Sequence, residues 1–258
     1  MTSLPNLSAA RVVAIIPARL GSTRFPEKVL ADRTGRPLIQ HVHDAAKAAA
    51  TLDHVVVAVD DPRVRDAVVS FGGTAVMTSA SHPNGSSRLA EAARLLKLSD
   101  AALVVNVQGD EPELEASVID ALVREALAAR APVATIASPI ENDAEFVNPN
   151  VVKVVRRADN TALYFSRASI PYPRTNQGPR TLKHIGIYAY RAAFLQQYVA
   201  MQPTPLELAE SLEQLRVLEH GHEILVVEQR VTTTGIDTPE QYAEFVERWK
   251  RHERSKRR

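Results

Sequence analysis

A cluster of cations and small residues follows the first apolar run of the chain. Arg19, Arg24 and Lys28 fall within ten positions, with a Gly-Ser-Thr run at 21–23 between them. Backbone amides, hydroxyls and cations at this spacing can converge on one anion, which is the chemistry of a phosphate site. The loop is not a P-loop, because it holds one glycine and Lys28 precedes a valine. The alternative for such a loop is a solvated surface turn.

Acidic residues follow two later apolar runs, where they could hold a cation. Asp110 stands in VQGDEP with Glu111 beside it, and Asp237 stands in GIDTPE. A carboxylate that faces a triphosphate is unfavourable unless a divalent cation lies between them, so the phosphate interpretation implies Mg²⁺. Asp110 is the first candidate ligand and Asp237 the second. The alternative is that each caps a following helix, before Pro112 and before Pro239 respectively.

A third group of polar residues lies on a predicted helix that includes Leu206 to Leu218. Leucines, Leu208 among them, fall on one side at 3.6 residues per turn, and Glu210, Glu213 and Gln214 fall on the other. A solvated face is one interpretation of the polar side. The other is that it accepts hydrogen bonds from a polyhydroxylated ligand.

The segment KHIGIYAY is predicted to be a strand with a functional face. Alternation places His184, Tyr188 and Tyr190 on one side, around a glycine that leaves room there. Arg167 and Arg174 precede this strand, and an arginine fork matches a carboxylate, so a carboxylate pocket is credible here. A packed His and Tyr pair in the core is the alternative.

Alternating strands and helices must position these side chains. The first strand, Val12 to Ile16, is rich in β-branched residues and is predicted to be buried on both faces and to end at Pro17. The predicted strands are 12–16, 54–59, 74–77, 101–107, 132–140 and 224–228. The predicted helices are 37–50, 62–71, 88–98, 115–129, about 191–200, 206–220 and a last one after 239.

This alternation predicts an α/β fold with a doubly wound, mostly parallel sheet and ligand chemistry at the carboxyl ends of its strands. Residues 151–190 lack helical periodicity and are predicted to form an antiparallel or mixed addition. No linker divides the chain, so we expect one domain over 11–249, with frayed termini at 1–10 and 250–258.

Composition narrows the class of protein. The 258 residues carry a formal charge of +1, which gives no global field for nucleic acid or membranes, and no cysteine, which fits a reducing cytoplasm. No signal peptide pattern and no run of about 20 apolar residues is present, so we expect a protein that is neither exported nor membrane-spanning. Six of the last nine residues are Lys or Arg. A solvated terminus is favoured there over a nucleic-acid arm.

Together these segments closely resemble the 3-deoxy-manno-octulosonate (Kdo) cytidylyltransferase family. The resemblance covers roughly residues 11–245 and rests on motifs that occur in the family's order. They are IIPARLGSTRFPEK, HPNGSSR, VNVQGDEP, VKVV, ALYFSRASIPYPR, KHIGIYAYR, LELAESLEQLRVLEHG and GIDTPE. IPAR with a downstream lysine is also similar to sialic acid cytidylyltransferases, and the LEQLR and HIGIYAY segments are what narrow the match.

The resemblance implies the α/β nucleotidyltransferase fold, a homodimer, Mg²⁺ as cofactor, and a cytoplasmic role in lipopolysaccharide biosynthesis. It implies transfer of CMP from CTP to the ulosonic acid. Catalysis is then assigned to Arg19, Lys28, Asp110 and Asp237, of which Asp110 and Asp237 hold the metal. Nucleotide binding is assigned to Ala18, Arg19, Ser22, Arg24, Lys28, Gly85, Ser86, Arg88 and Gln108. Substrate binding is assigned to Arg167, Arg174, His184, Tyr188, Glu213 and Gln214.

Two departures from the family leave the acceptor open. Position 87 is Ser87 where the family usually carries an acidic residue, and the segment between Arg174 and His184 is shorter than usual. An 8-amino analogue of Kdo or another ulosonic acid such as a sialic acid is therefore an alternative acceptor. A non-catalytic nucleotide-binding module is the alternative of another class, since fold alone does not fix activity.

Overall fold

The computed structural model describes residues 5–175, 181–232 and 235–256. Within them a single sheet has the strand order β3-β2-β1-β4-β8-β5-β9, and β6 pairs with both β7 and β8. The strands are β1 (Val12–Ala18), β2 (His54–Val59), β3 (Thr74–Met77), β4 (Leu103–Asn106), β5 (Val133–Pro139), β6 (Lys153–Arg156), β7 (Ala162–Ser166), β8 (Leu182–Arg191) and β9 (Ile224–Glu228). The helices are α1 (Leu38–Lys47), α2 (Pro62–Ser70), α3 (Gly85–Leu95), α4 (Ala116–Ala128), α5 (Asp143–Val147), α6 (Ala192–Ala200), α7 (Pro205–Glu210), α8 (Leu215–Glu219) and α9 (Pro239–Lys256).

Alternate residues of β1 explain why the sheet carries helices on both faces. Val13 and Ile15 pack into one core cluster, and Ala14 and Ile16 pack into the other. Strands β2 and β4 flank β1 in parallel, as a fully apolar strand at the centre of a doubly wound sheet requires. The predicted α/β class with a mostly parallel sheet is confirmed.

Strand β1 does not end at Pro17 as predicted. It continues to Ala18, with Pro17 opposite Ala58 of β2. The pairing of β1 with β4 stops at Ile15, opposite Asn106. Pro17 therefore lies where β1 is an edge toward β4, and a missing N–H is tolerated on such a side.

The predicted antiparallel addition over 151–190 is confirmed and contains a bulge. Strand β8 lies antiparallel between β4 and β5, and the β5 register shifts so that Thr135 faces Tyr188 while the next residue of β5 faces Ile185. Two residues of β8, Gly186 and Ile187, fall outside that register. Because two is an even number, side chains keep the same faces on both sides of the bulge.

The single helix predicted over 206–218 is wrong. Helix α7 ends at Ser211, whose φ of 51° is left-handed, and α8 begins only at Leu215. The break turns Leu208 outward, with 69% exposure, and buries Glu207 against Arg216. The leucine periodicity, which taken alone favours one continuous helix, contains nothing about this tertiary contact between Glu207 and Arg216.

The prediction of frayed ends covers residues 1–10 and 250–258, of which the structure describes 5–10 and 250–256. Leu7 and Ala10 are buried, and the amide of Leu7 donates to Leu96 O at 3.0 Å. Helix α9 runs to Lys256, because Trp249 packs its ring against the His41 ring, 4.5 Å away. Within the described part of the chain, no helix is both long and apolar enough to cross a membrane.

Candidate active site

Two adjoining cavities lie at the carboxyl ends of β1 and β4. The basic cavity, of about 300 Å³, is lined by Pro17, Arg19, Ser22, Thr23, Arg24, Lys28, Val29, His82, Pro83, Asn84, Gly85, Arg88, Gln108, Gly109, Asp110 and Asp237. The aromatic cavity, of about 350 Å³, is lined by Gly85, Ser86, Asn106, Gln108, Val133, His184, Gly186, Tyr188, Tyr190, Tyr198, Ser211, Leu212, Glu213, Gln214, Val217 and Ile224. Gly85 and Gln108 belong to both sets, so they form the boundary between the two cavities.

An ion-pair cluster forms one wall of the basic cavity. Lys28 Nζ lies 2.9 Å from Asp110 Oδ2 and 3.2 Å from Asp237 Oδ1, and Arg24 Nη2 lies 2.9 Å from Asp237 Oδ2. The Lys28 side chain is 11% exposed, whereas those of Arg24 and Asp237 are 66% and 40% exposed. The fold thus brings Lys28 against Asp237, which lies 209 positions further along the chain.

The backbone at Gly109 aims Asp110 into this cavity. A Cβ atom at Gly109 would lie 2.6 Å from Pro17 O, closer than any real side chain tolerates, so glycine is required where β4 passes the end of β1. The amide of Ile236 donates to Asp110 O at 2.8 Å. That bond places Asp237 beside Asp110. Neither Asp caps a helix: α4 begins after Glu115 and α9 after Thr238.

Glu111 lies behind Asp110. Burial, followed by the charge of Asp110, raises the pKa of Glu111 to about 7. Its Oε2 atom is buried and has no hydrogen-bond partner among the described residues. Glu111 therefore adds less negative charge to the cavity wall than its sequence position suggests.

Arg88 lines the basic cavity but is also held by an acidic residue that the sequence analysis did not single out. Its Nη2 donates to Asp60 Oδ2 at 3.0 Å, and its Nη1 donates to Thr78 Oγ1 at 2.7 Å. The other oxygen of Asp60 accepts from the amide of Leu20 at 2.9 Å. Leu20 lies in the loop that carries Arg19, Arg24 and Lys28, here called the basic loop. The signal in the sequence is an Asp directly after the predicted strand 54–59, at the carboxyl end of a parallel strand.

Ser87, where the family usually has an acid, contacts two residues that line the basic cavity, His82 and Asn84. Its Oγ donates to Asn84 O at 3.0 Å and lies 3.1 Å from His82 Nδ1. The other ring nitrogen of His82 lies 2.5 Å from Glu91 Oε2. Ser87 thus takes part in holding His82, which lines the basic cavity. Of the shortened segment between Arg174 and His184, residues 176–180 lie outside the described residues.

The aromatic cavity is walled by rings from β8 and α6. Tyr188 stacks on Tyr190 with centroids 5.5 Å apart, and Tyr190 stacks on Tyr198 at 6.0 Å. The His184 ring lies 5.4 Å from that of Tyr188. The predicted common face of His184, Tyr188 and Tyr190 is therefore present, and the bulge at Gly186 opens it. Gln108 Nε2 donates to the Gly186 carbonyl at 3.0 Å, which ties this bulge to the boundary between the cavities.

Hydrogen bonding defines the tautomer of His184. The hydroxyl of Thr135 donates its one proton to the bulge carbonyls, Ile187 O at 2.8 Å or Ile185 O at 3.2 Å. Thr135 Oγ1 must then accept from His184 Nε2, which lies 3.0 Å away. Burial lowers the pKa of His184 to about 4. His184 is therefore neutral near pH 7, with Nδ1 left as an acceptor.

The turn after Ser211 supplies the remaining polar groups of the aromatic cavity. Glu213 and Gln214 line it, and burial is the main cause that raises the pKa of Glu213. Gln214 Nε2 and Asn106 Oδ1 are buried and have no partner among the described residues. Asn106 lies within VNVQGDEP, but the sequence analysis assigned it no role.

Arg167 and Arg174 do not contribute to the described lining of either cavity. Arg167 donates to Glu210 O at 2.7 Å, to Pro149 O at 3.0 Å and to Ser211 O at 3.3 Å, so its guanidinium holds the end of α7. Glu210, predicted on the ligand face, accepts from the Arg167 amide at 2.9 Å. Arg174 is exposed. The structure thus places the Arg167 guanidinium against the end of α7 and not among the residues that line the aromatic cavity.

The acidic residues fit a magnesium ion better than a metal with a full protein cage. Within the described ranges, no group of three or more His, Cys, Asp or Glu residues could hold a metal. The two carboxylates at the basic cavity, Asp110 and Asp237, share one cation, Lys28 Nζ. Mg²⁺ is commonly bound by one or two carboxylates together with substrate phosphates and water, which matches this set.

Comparisons with known proteins agree with this geometry. A cytidylyltransferase family model matches residues 13–224. The 3-deoxy-manno-octulosonate cytidylyltransferase of Syntrophobacter fumaroxidans is 51% identical over 89% of this chain and 93% of that protein. The enzyme of the same name from Geobacter metallireducens is 46% identical over 93% of this chain and 98% of that protein.

Two solved structures extend the comparison. One is CMP:2-keto-3-deoxy-manno-octonic acid synthetase complexed with CTP, with a TM-score of 0.89 and 42% identity over 94% of this chain and all of that chain. The other is 4-diphosphocytidyl-2C-methyl-D-erythritol synthase, with a TM-score of 0.62 and 14% identity over 92% of this chain and 97% of that chain, which shows a shared fold alone. By family model, sequence identity and structure, the chain belongs to the 3-deoxy-manno-octulosonate cytidylyltransferase family.

Proposed function

We propose that the protein transfers CMP from CTP to the anomeric hydroxyl of Kdo, with release of pyrophosphate, for lipopolysaccharide biosynthesis. The observation that carries this proposal is the pair of adjoining cavities that meet at Gln108, one basic with two carboxylates and one aromatic with the carboxyl group of Glu213. A new bond forms between the sugar oxygen and the α-phosphorus. The bond from the α-phosphorus to the bridging oxygen breaks, and pyrophosphate leaves with that electron pair while the hydroxyl proton is released.

The basic cavity supplies what phosphoryl-type transfer needs from a protein. Such transfers depend on positioning and on stabilising charge on the transferring group, and no covalent intermediate with the protein is required. Arg19, Ser22, Arg24 and Lys28 line the same cavity, so cations and a hydroxyl can contact the phosphates. Gly85 and Gln108 line both cavities, which supports a transferring end of the nucleotide at the boundary with the aromatic cavity.

The aromatic cavity suits a polyhydroxylated acid. The neutral His184 offers Nδ1 as an acceptor, Tyr188 offers a phenol, and Glu213 and Gln214 offer acceptors and a donor. A cavity with few fixed charges selects by hydrogen bonds to hydroxyls. A donor or acceptor left unpaired by the wrong sugar is costly, and that cost gives selectivity.

We further propose that Mg²⁺ is the cofactor, held by Asp110 and Asp237. A bound Mg²⁺ would neutralise phosphate charge and polarise the transferring group. Two cations of the chain offset the negative charge of these carboxylates. Lys28 Nζ lies 2.9 Å from Asp110 and 3.2 Å from Asp237, and Arg24 lies 2.9 Å from Asp237.

A homodimer in the cytoplasm completes the proposal. Several apolar side chains on the antiparallel addition and on α7 are exposed, including Leu163 at 52% and Leu208 at 69%. Exposed apolar side chains on one part of the fold support the proposal of an interface there. A cytoplasmic site fits the absence of cysteine and the need for CTP.

Pyrophosphate release with CTP and Kdo tests the proposed function. We expect release that depends on both substrates and on Mg²⁺, with much lower rates when ATP, GTP or UTP replaces CTP. Asp110→Asn should lower kcat by about 10²–10³-fold, because charge at the transferring phosphate is worth several kcal/mol. Glu113→Gln, an acidic residue near in sequence that pairs with Arg248, serves as the matched control.

The outcomes separate the proposal from its alternatives. No CTP-dependent release with Kdo or any other ulosonic acid would overturn the enzymatic function. Release with an aminated or sialic acid in preference to Kdo would keep the reaction and change the acceptor. Equal activity without Mg²⁺, after chelation of all divalent ions, would contradict the metal proposal alone.

A further inference from the structure

Two residues that line the aromatic cavity each carry a buried polar atom without a partner among the described residues. Asn106 is 3% exposed and Gln214 is 7% exposed, and both line the cavity. Within the part of the chain that the structure describes, Asn106 Oδ1 and Gln214 Nε2 make no hydrogen bond. A buried acceptor and a buried donor without partners both destabilise a fold, so each needs another explanation.

The fold itself does not call for asparagine at position 106. Asn106 ends the buried strand LVVN, where it lies between Ile15 of β1 and Tyr188 of β8. The preceding inward residue on the same face, Val104, packs into the hydrophobic core. An apolar side chain at 106 would satisfy the same packing without leaving an orphaned oxygen.

We propose that Asn106 is a specificity-determining residue whose Oδ1 accepts a hydrogen bond from a hydroxyl of the acceptor sugar. Gln214 Nε2, the second orphan, donates to another substrate oxygen in the same cavity. This inference rests on the proposed function, because it takes the occupant of the aromatic cavity to be a polyhydroxylated acid. A neutral acceptor fits a hydroxyl donor and rejects an analogue that lacks it, because the asparagine would again be left unpaired.

The position of Asn106 on β4 indicates which part of the substrate it contacts. Gln108, at the boundary of the two cavities, is two residues further along the chain and on the same face. Two residues of extended chain span roughly 7 Å. Asn106 thus contacts a hydroxyl remote from the oxygen that joins the phosphorus, so it contributes binding and selectivity, and the chemistry belongs to the basic cavity.

The test pairs one variant with substrates that lack single hydroxyls. Asn106→Leu keeps a branched side chain of four heavy atoms and removes the acceptor. kcat/KM is measured for the wild-type protein and the variant with Kdo and with monodeoxy analogues that each lack one hydroxyl remote from the anomeric carbon. We expect a fall of about 10–100-fold for Kdo in the variant. For one analogue, the kcat/KM of the wild-type protein should be lower than with Kdo by a similar factor. The variant should have the same kcat/KM with that analogue as with Kdo. The KM for CTP should change less than twofold.

A stability readout and a control distinguish recognition from a structural role. Asn106→Leu is expected to have a Tm equal to or above that of the wild-type protein, because it removes an unpaired buried oxygen. If the leucine does not fit, Asn106→Ala gives the same comparison with a smaller side chain. Val105→Ile, next on β4 but directed to the other core cluster, reports any disturbance of the strand.

Each result has one meaning. A variant that loses kcat/KM equally for Kdo and every deoxy analogue, or loses less than twofold, overturns the role of Asn106 and leaves the proposed function standing. A wild-type protein that neither binds Kdo by calorimetry nor turns it over removes the proposed function and this inference with it.

Discussion

Individual residues of the aromatic cavity are tuned to be neutral. His184 is uncharged near pH 7, because burial lowers its pKa to about 4 and its Nε2 donates to Thr135. Burial likewise raises the pKa of Tyr188 and Tyr190 well above the usual value for a phenol. In the proposed function these neutral groups would select hydroxyl positions by hydrogen bonds, beside the acidic residue Glu213, and the basic cavity would supply the cations.

The lowered pKa of His184 predicts a loss of stability in acid. The unfolded chain binds a proton at His184 below about pH 6.5, and the folded chain binds it only below about 4, so stability falls as pH drops through this window. We expect the free energy of unfolding to fall by about 1–2 kcal/mol from this residue, less than in a dry interior because the ring lines a partly open cavity. Chemical denaturation of His184→Gln at pH 7 and 4.5 measures the effect.

A matched histidine isolates this contribution. His54 is exposed at the start of β2, so His54→Gln should keep the acid sensitivity of the wild-type protein. Burial also lowers the pKa of His41 to about 4, and His41 remains in every variant, so only differences between variants are interpreted. The same pH dependence in His184→Gln and the wild-type protein would contradict the prediction.

At the scale of elements, two carboxylates outside the cavities each hold one wall in place. Asp60, at the end of β2, binds the basic loop through Leu20 and α3 through Arg88. Glu210, at the end of α7, accepts from Ser166 Oγ at 2.6 Å and from the amide of Arg167. Each residue therefore positions groups that would touch a substrate without touching one itself.

Comparison of Asp60→Asn and Glu210→Gln tests this division. Asp60→Asn should raise the KM for CTP by about tenfold, because Arg88 loses its charge partner and about 1.4 kcal/mol of positioning, with little change for the acceptor. Glu210→Gln should do the reverse, because the turn at Ser211 that carries Glu213 and Gln214 loosens. Steady-state kinetics with each substrate varied gives both values. If both KM values rise in parallel in both variants, the two walls are not independent.

The whole molecule leaves apolar surface that a second copy could cover. Leu163, Leu206, Leu208, Val147 and Tyr172 are exposed on or beside the antiparallel addition, at 52%, 42%, 69%, 67% and 84%. These residues lie far from β3 and α2 in the order of the sheet. An interface built on the addition would leave β3 and α2 free of it.

The proposed dimer predicts a change in mass when this surface is charged. Leu208→Glu with Leu163→Glu should convert the dimer to a monomer at micromolar concentration, because buried carboxylates without partners are costly. Sedimentation equilibrium measures the mass. Val69→Glu, on α2 and 57% exposed in the wild-type protein, is the control and should stay dimeric. A wild-type protein that is monomeric at all concentrations would contradict the dimer.

The sequence by itself determined the frame of the site. Runs of β-branched residues define the parallel strands, and their carboxyl ends must share one edge of the sheet, so the basic loop, Asp110 and Asp237 were predicted to lie together. Local periodicity and chain order are enough to predict this proximity, because neighbouring parallel strands end at the same edge of the sheet. The common face of His184 and Tyr188 follows from alternation in the same way, and an even-numbered bulge preserves it.

Tertiary contacts decided which polar residues serve the cavities and which support them. Glu207 pairs with Arg216 across the break at Ser211, and Arg167 donates to the carbonyls of Glu210 and Ser211 at that turn. Asp60 acquires its role only where Arg88 and the basic loop meet it. Such partners are distant in the chain, and whether a polar side chain is paired or left facing a cavity depends on them. Local pattern does not contain that information, because the cost of burying a polar group is set by what surrounds it in three dimensions.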